Sequence, residues 1–125
     1  MTGVTSTTLT LTTDFGLHDG WIGAMKGVLR SGAPDLEIID VSHQVPPQDI
    51  LRGAVILDQA ARWFPPGTLH LAVVDPGVGT ARDVLMARAG GYRFVAPDNG
   101  LLSLCLERWP EHEIWRLTER DTVDL

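Results

Sequence analysis

The stretch "VVDPGVGTAR", residues 73–82, places an aspartate and an arginine at the two ends of a glycine-rich loop. Asp75 follows two valines that are typical of a buried strand, and Arg82 comes seven residues later. A guanidinium can return across so short a loop and pair with the carboxylate. The loop lacks the lysine of a phosphate-binding loop. The spacing fits two roles, an ion pair that staples the loop or a pair that orients a polar ligand.

Other polar residues also follow predicted strands. Asp14 comes after the alternating stretch "TLTLTT", Asp40 and His43 end the next strand, and Asp98 and Asn99 end a later one. If these strands run parallel, their carboxyl ends meet at one edge of the sheet, where open α/β sheets bind ligands. The sequence therefore predicts a ligand crevice at this edge.

Each candidate also has a structural interpretation. Asp14 could bind ribose hydroxyls or a metal, or it could cap the loop beside it. Asp19 could cap a helix, and Asn99 could stabilise a turn. His43 could be an acid or base or a ligand contact, but a loop histidine with satisfied hydrogen bonds is favoured. His70 lies inside a strand and is predicted to be structural.

The elements that must position these residues follow from the apolar periodicity. The order β-α-β-α-β-β-β-α-β predicts a three-layer α/β domain with a largely parallel central sheet. Strands are predicted at residues 8–13, 36–41, 68–74, 83–88, 92–96 and 113–118. Helices are predicted within 19–32, with Asp19 as the cap and Val28 in the apolar stripe, and from Pro46 and Pro47 to about Trp63. A third helix is predicted within "DNGLLSLCLERW", residues 98–109, stopped by Pro110.

Bulk composition narrows the class of protein. The chain has 125 residues and a formal net charge of -6, which argues against a nucleic-acid or anionic-membrane partner. Its single cysteine, Cys105, lies among leucines and is predicted to be a buried core residue, so no internal disulfide can form. No apolar run is long enough to span a bilayer. We therefore expect a cytoplasmic protein with a small-molecule ligand.

Four segments occur in register: "LTTDFGLHDGWIGAMKGV", "IIDVSHQVPPQDILRGA", "AVVDPGVGTAR" and "VAPDNGLLS". Together they resemble the N-terminal domain of the S-adenosylmethionine (SAM) hydroxide adenosyltransferases, relatives of the fluorinase and chlorinase enzymes. The resemblance runs from about residue 8 nearly to the end. It implies attack of water on C5′ of the ribose of SAM, which gives adenosine and methionine. It also implies no metal and no cofactor, because the sulfonium is already a good leaving group.

The resemblance assigns roles to individual residues. Asp75 and Arg82 match two members of an Asp–Arg–His catalytic set that positions the attacking water, where the halogenases have small hydroxyl residues. Asp14 matches the aspartate that binds the ribose hydroxyls, and Asp19 an acidic residue near the methionine amino group. The remaining substrate-binding candidates are Phe15, Gln48, Thr80 and Asn99. Thr80 is expected in the nucleophile pocket, and Gln48 stands where the halogenases carry an aromatic residue.

The chain also departs from the family pattern. The catalytic histidine belongs to a Phe-His-Gly-type motif that residues 1–125 lack, and His43 is not expected to replace it. The family's C-terminal β domain is also missing, and family enzymes are trimers with sites between subunits. We therefore expect residues 1–125 to be a truncated N-terminal domain with poor turnover, whose histidine lies beyond Leu125. The full-length form is expected to be a homotrimer.

Alternative functions remain open from the sequence. One is a non-catalytic module that binds a nucleoside or SAM together with a partner chain. Another is a metal-dependent hydrolase that uses Asp14, Asp40 and Asp75. Arg82 disfavours the metal, because a guanidinium beside Asp75 competes with a cation. The Asp75–Arg82 pair likewise disfavours a halogenase.

Overall fold

Six strands and three helices make up residues 7–75 and 82–118, the part of the chain that the computed structural model describes. The strands are β1 (Thr8–Thr13), β2 (Glu37–Ser42), β3 (Leu69–Val73), β4 (Val84–Ala89), β5 (Tyr92–Pro97) and β6 (His112–Leu117). The helices are α1 (Trp21–Gly32), α2 (Ile50–Ala61) and α3 (Ser103–Arg108). The predicted order of elements is therefore confirmed.

All six strands join one sheet with the order β2-β1-β3-β5-β4-β6. The neighbours β2, β1, β3 and β5 run parallel to one another, while β4 pairs antiparallel with both β5 and β6. The turn between β4 and β5 uses Gly90 and Gly91, which both have positive φ, as tight hairpins require. The largely parallel sheet is confirmed, and its four parallel strands are the ones with polar residues at their ends.

Helices cover both faces of the sheet. Leu29 of α1 packs on the face that carries Leu11. On the other face, Leu57 of α2 and Cys105 of α3 pack around Phe94. This is the predicted three-layer arrangement. Cys105 is the expected core residue, since it is fully buried, and this burial raises the pKa of its thiol to about 12. None of the helices in the described ranges has the length and apolar character needed to cross a bilayer.

Helix α1 differs in detail from its prediction. Its N-cap is Gly20, without a side-chain cap, so the assignment of Asp19 as the helix cap is wrong. Its apolar stripe is also narrower than predicted, because Ile22 is buried but Val28 is 74% exposed. Only one edge of this helix therefore faces the sheet.

Helix α2 begins later than the prolines predict. Its N-cap is Asp49, whose side chain accepts a hydrogen bond from the Arg52 N–H at 2.9 Å. Gln48, just before the cap, has a φ of 64°, which is incompatible with a continuous right-handed helix. The predicted start at Pro46 and Pro47 is therefore wrong, and those prolines belong to the loop that follows β2.

Candidate functional site

The carboxyl ends of the central parallel strands meet at one edge of the sheet. The register pairs Thr13 of β1 with Val73 of β3, so the chain leaves both strands at the same level. Asp14 follows the end of β1 directly, and Asp75 lies two residues after the end of β3. β5 lies parallel on the other side of β3, and Asn99 follows it. The predicted gathering of polar residues at this edge is confirmed.

Asp75 and Arg82 form the predicted ion pair. Arg82 Nε lies 3.2 Å from Asp75 Oδ1, and the two side chains are 34% and 13% exposed. Arg82 Nη1 also donates to the carbonyl of Asp98 at 3.4 Å. The guanidinium therefore connects the ends of β3 and β5, and it compensates a mostly buried carboxylate. Thr80, predicted to line the nucleophile pocket, lies outside the described residues.

Asn99 ties the end of β3 to the turn before α3. Its Nδ2 donates to the Val74 carbonyl at 2.8 Å, and its Oδ1 accepts from the Leu101 N–H at 3.2 Å. Gly53 of α2 packs against the same two residues, since a Cβ there would lie 2.9 Å from Leu101 and 3.2 Å from Val74. Asn99 thus has the turn role considered for it, and a direct contact with substrate stays a prediction.

Asp14 caps the loop after β2. Its Oδ2 accepts a hydrogen bond from the Gln48 N–H at 2.7 Å. Gln48 holds a left-handed backbone, which is strained for a residue with a side chain, and such strain is typical of functional sites. Among the described residues, Asp14 Oδ1 has no hydrogen-bond partner, so it can accept one from a ligand. Phe15 and Asp19 lie nearby in the chain, Phe15 partly buried and Asp19 exposed.

Behind this edge lies a hydrogen-bonded chain that the sequence did not predict. Lys26 Nζ donates to Asp40 Oδ2 at 2.8 Å, and His43 Nε2 lies 2.7 Å from Asp40 Oδ1. The other ring nitrogen, His43 Nδ1, lies 2.8 Å from Thr13 Oγ1. His43 is only 4% exposed and is the satisfied loop histidine that was favoured. The motif located His43, but nothing in the spacing located Lys26 as a partner.

Hydrogen bonds from its two neighbours in this hydrogen-bonded chain keep Asp40 ionised. Burial acts to raise the pKa of Asp40, but hydrogen bonds from Lys26 and His43 outweigh it, and the pKa lies below its usual value. A carboxylate only accepts hydrogen bonds, so His43 Nε2 carries the proton. The other ring nitrogen, Nδ1, lies within hydrogen-bond distance of Thr13 Oγ1, and this oxygen accepts from the Phe15 N–H at 3.2 Å. Each group in this series thereby has a hydrogen-bond partner, and Asp40 accepts from both of its neighbours.

The carboxylates do not gather into a metal cluster. Within residues 7–75 and 82–118, no group of three or more His, Cys, Asp or Glu side chains is arranged to hold a metal ion. Asp40 is engaged by Lys26 and His43, and Asp75 by Arg82. The three aspartates of the metal-hydrolase alternative therefore lie in separate arrangements among the described residues.

Comparison with known proteins decides the family. The profile of the SAM hydroxide adenosyltransferase N-terminal domain matches residues 9–124. The chain belongs to the SAM hydroxide adenosyltransferase family. It is 52% identical over 94 residues to the (R)-S-adenosyl-L-methionine hydrolase of Salinispora tropica, covering 75% of this chain and 36% of the relative. It is 41% identical over 116 residues to the hydrolase of the same name from Methanocaldococcus jannaschii, covering 89% and 44%.

Solved structures and more distant relatives agree with this membership. An uncharacterized conserved protein from Thermotoga maritima superposes with a TM-score of 0.85 at 38% identity, over 90% of this chain and 44% of that one. The fluorinase of Nocardia brasiliensis is 27% identical over 133 residues, covering 88% of this chain and 44% of the enzyme. This member of the SAM hydroxide adenosyltransferase family thus spans less than half the length of the relatives it matches.

Proposed function

We propose that this chain supplies the ribose-binding and water-binding part of a SAM hydrolase that forms adenosine and L-methionine. The observation that carries the proposal is the Asp75–Arg82 pair, 3.2 Å apart at the end of β3, on the strand next to the one that Asp14 follows. The hydrolases from Salinispora and Methanocaldococcus support it, since they are 52% and 41% identical to this chain.

The proposed reaction is a nucleophilic substitution at a carbon that carries a cationic leaving group. The water oxygen bonds to C5′ while the C5′–S bond breaks, and both electrons of that bond stay on sulfur. The sulfonium becomes the neutral thioether of methionine, and one proton of the water is lost to solvent. Since the leaving group is already activated, the protein mainly has to hold water and substrate in line.

Asp75 and Arg82 suit the task of holding the water. A carboxylate accepts a hydrogen bond from the water and turns its lone pair toward the carbon, while the guanidinium fixes the carboxylate. Because Asp75 is 13% exposed, few competing waters reach it. In the same proposal, Asp14 accepts a hydrogen bond from the ribose hydroxyls through Oδ1, since Oδ2 is occupied by Gln48.

Conservative variants test the two roles separately. We expect Asp75→Asn to lower the rate of adenosine release from SAM about 100-fold while adenosine affinity changes little. We expect Asp14→Asn to weaken adenosine binding about tenfold, because a charged acceptor is lost. Adenosine release is measured by chromatography with each sulfonium epimer of SAM, in the presence of a family C-terminal domain that supplies the histidine, and adenosine affinity by titration calorimetry.

Asp58→Asn is the matched control. Asp58 also pairs with an arginine, Arg108 at 2.7 Å, and the side chains are 19% and 34% exposed, but the pair joins α2 to α3 away from the strand ends. The Asp58→Asn variant should leave adenosine release and adenosine binding unchanged. Adenosine binding without release from either epimer, even when a C-terminal domain with the Phe-His-Gly-type motif is supplied, would rule out the hydrolase and favour a nucleoside-binding module. Loss of activity with a chelator would favour the metal-dependent hydrolase instead.

A further inference from the structure

The hydrogen-bonded chain behind the site has no role in the proposed chemistry itself. It starts at Lys26 on α1, passes through Asp40 on β2 and His43 after β2, and ends at Thr13, the last residue of β1. It therefore joins three separate elements at one end of the sheet. Thr13 and His43 are 0% and 4% exposed, so the hydrogen bond between them is protected from water.

The hydrogen-bonded chain from Lys26 to Thr13 fixes the backbone on both sides of Asp14. Thr13 precedes Asp14 directly, and the Thr13 hydroxyl accepts from the N–H of Phe15, which follows it. The Gly16 N–H donates to the His43 carbonyl at 2.7 Å. The loop that carries Asp14 is thus attached to His43 through its ring and through its backbone.

The partner of Asp14 is fixed by the same residues. The loop after His43 returns to β1 when the Val45 N–H donates to the Thr13 carbonyl at 3.3 Å. Three residues later the chain reaches Gln48, whose strained backbone presents its N–H to Asp14 Oδ2. A left-handed glutamine persists only when its surroundings hold it there.

We propose that Thr13 and His43, supported by Asp40 and Lys26, form a positioning unit that sets the direction of the Asp14 carboxylate. The unit fixes the loops after β1 and β2 to each other, so that Gln48 occupies Oδ2 and Oδ1 faces the ligand edge. This deepens the proposed function, because it rests on Asp14 as the ribose contact. A fully satisfied buried network specifies one geometry, whereas an apolar contact of the same volume leaves the loop freer.

The test removes the hydroxyl of Thr13 and keeps the shape of the side chain. Thr13→Val deletes the hydrogen bonds to His43 and Phe15, Thr13→Ser restores the hydroxyl, and Thr10→Val is the control. Thr10 lies on the same strand as Thr13 but away from the ligand edge, and it pairs with the buried His70 of β3. The first readout is the amide proton of Gln48 in NMR spectra, which should resonate downfield because it bonds a carboxylate. The second is adenosine affinity.

We expect Thr13→Val to lose the downfield Gln48 resonance and to bind adenosine about tenfold more weakly. Thr13→Ser and Thr10→Val should keep both properties. A folded Thr13→Val protein with an unchanged Gln48 resonance overturns the proposal. If Thr13→Val does not fold, His43→Phe is judged by the same resonance. If the unaltered protein does not bind adenosine, the proposed function fails, while the Gln48 resonance still decides whether the positioning unit exists.

Discussion

Two buried histidine–threonine pairs lie on opposite faces of β1. Facing α2, His70 Nδ1 lies 2.6 Å from Thr10 Oγ1, and facing α1, His43 Nδ1 lies 2.8 Å from Thr13 Oγ1. The pairs share their atoms and nearly their distances, but their surroundings differ. The ring of His70 contacts three aromatic rings with centroids 5.1 to 5.5 Å away, those of Phe64, Tyr92 and Phe94. The ring of His43 instead contacts the carboxylate of Asp40.

The difference shows that surroundings, not the pair, decide what a histidine does. Burial lowers the pKa of His70 to about 4, only partly opposed by the Ala61 backbone, so its ring stays neutral in the core. At the strand end, the ring of His43 instead bonds the carboxylate of Asp40, which is also paired with Lys26. We therefore infer that His70 serves stability, whereas His43 serves the geometry of the site.

Truncation of each ring gives the largest expected contrast. His70→Ala should lower the free energy of unfolding by about 3 kcal/mol, because it leaves a cavity among aromatic rings. His43→Ala should cost about 1 kcal/mol, since water can replace the ring at Asp40, which is 42% exposed. Urea unfolding followed by tryptophan fluorescence measures both. Equal losses for the two variants would contradict the division of roles.

Lowering the pH should test the role of His70 as well. His70 has a pKa of about 4 when folded and about 6.5 when unfolded, so between these values only the unfolded chain binds the proton. Its contribution is independent of pH above about 6.5 and is lost progressively as the pH falls toward 4. Each pKa unit corresponds to about 1.4 kcal/mol, which predicts a loss of about 2 kcal/mol between pH 7 and pH 5.

Urea unfolding at several pH values checks this prediction, with His70→Gln as the matched variant. Glutamine retains a polar group for Thr10 but does not titrate. The variant should be less stable at pH 7, and its stability should fall less steeply with acid. An unchanged pH dependence in His70→Gln would assign the acid sensitivity to other groups.

The fold was largely readable from the sequence, because apolar periodicity reports burial directly. The alternating stretch 8–13 and the continuous apolar stretch 68–74 became β1 and β3, with shifts of at most one residue. Helix starts were less predictable, since they depend on caps. Asp49 rather than the prolines starts α2, and the decisive feature, the left-handed Gln48, has no sequence signature.

The site was readable where it follows strand ends and not where it depends on tertiary contacts. The topology of parallel strands brought Asp14 and Asp75 to one edge, and the short loop brought Arg82 back to Asp75. The contact between Lys26 and Asp40 joins residues on different elements. Lys26 is the one lysine of the sequence, but its place on a helix does not say which carboxylate it reaches, so only the packing of α1 on the sheet pairs it with Asp40.

The smallest expected effect concerns this lysine and tests how far the network around His43 extends. Lys26→Met should change the free energy of unfolding by less than about 1 kcal/mol, because the two side chains are 36% and 42% exposed. It should nevertheless raise the pKa of Asp40. Burial acts to raise this pKa, and the hydrogen bonds from Lys26 and His43 together outweigh burial, so the variant loses part of the opposing effect. A carboxyl group whose pKa is lowered by folding stabilises the fold at pH values above that pKa, and the stabilisation is lost as the pH falls. This small stabilisation should shrink in the variant.

NMR titration of the Asp40 carboxyl carbon measures the change in pKa, and Lys26→Arg, which retains the charge, should restore the lowered pKa. An unmoved Asp40 pKa in Lys26→Met would mean that His43 alone holds the carboxylate ionised, and the positioning unit would then end at Asp40.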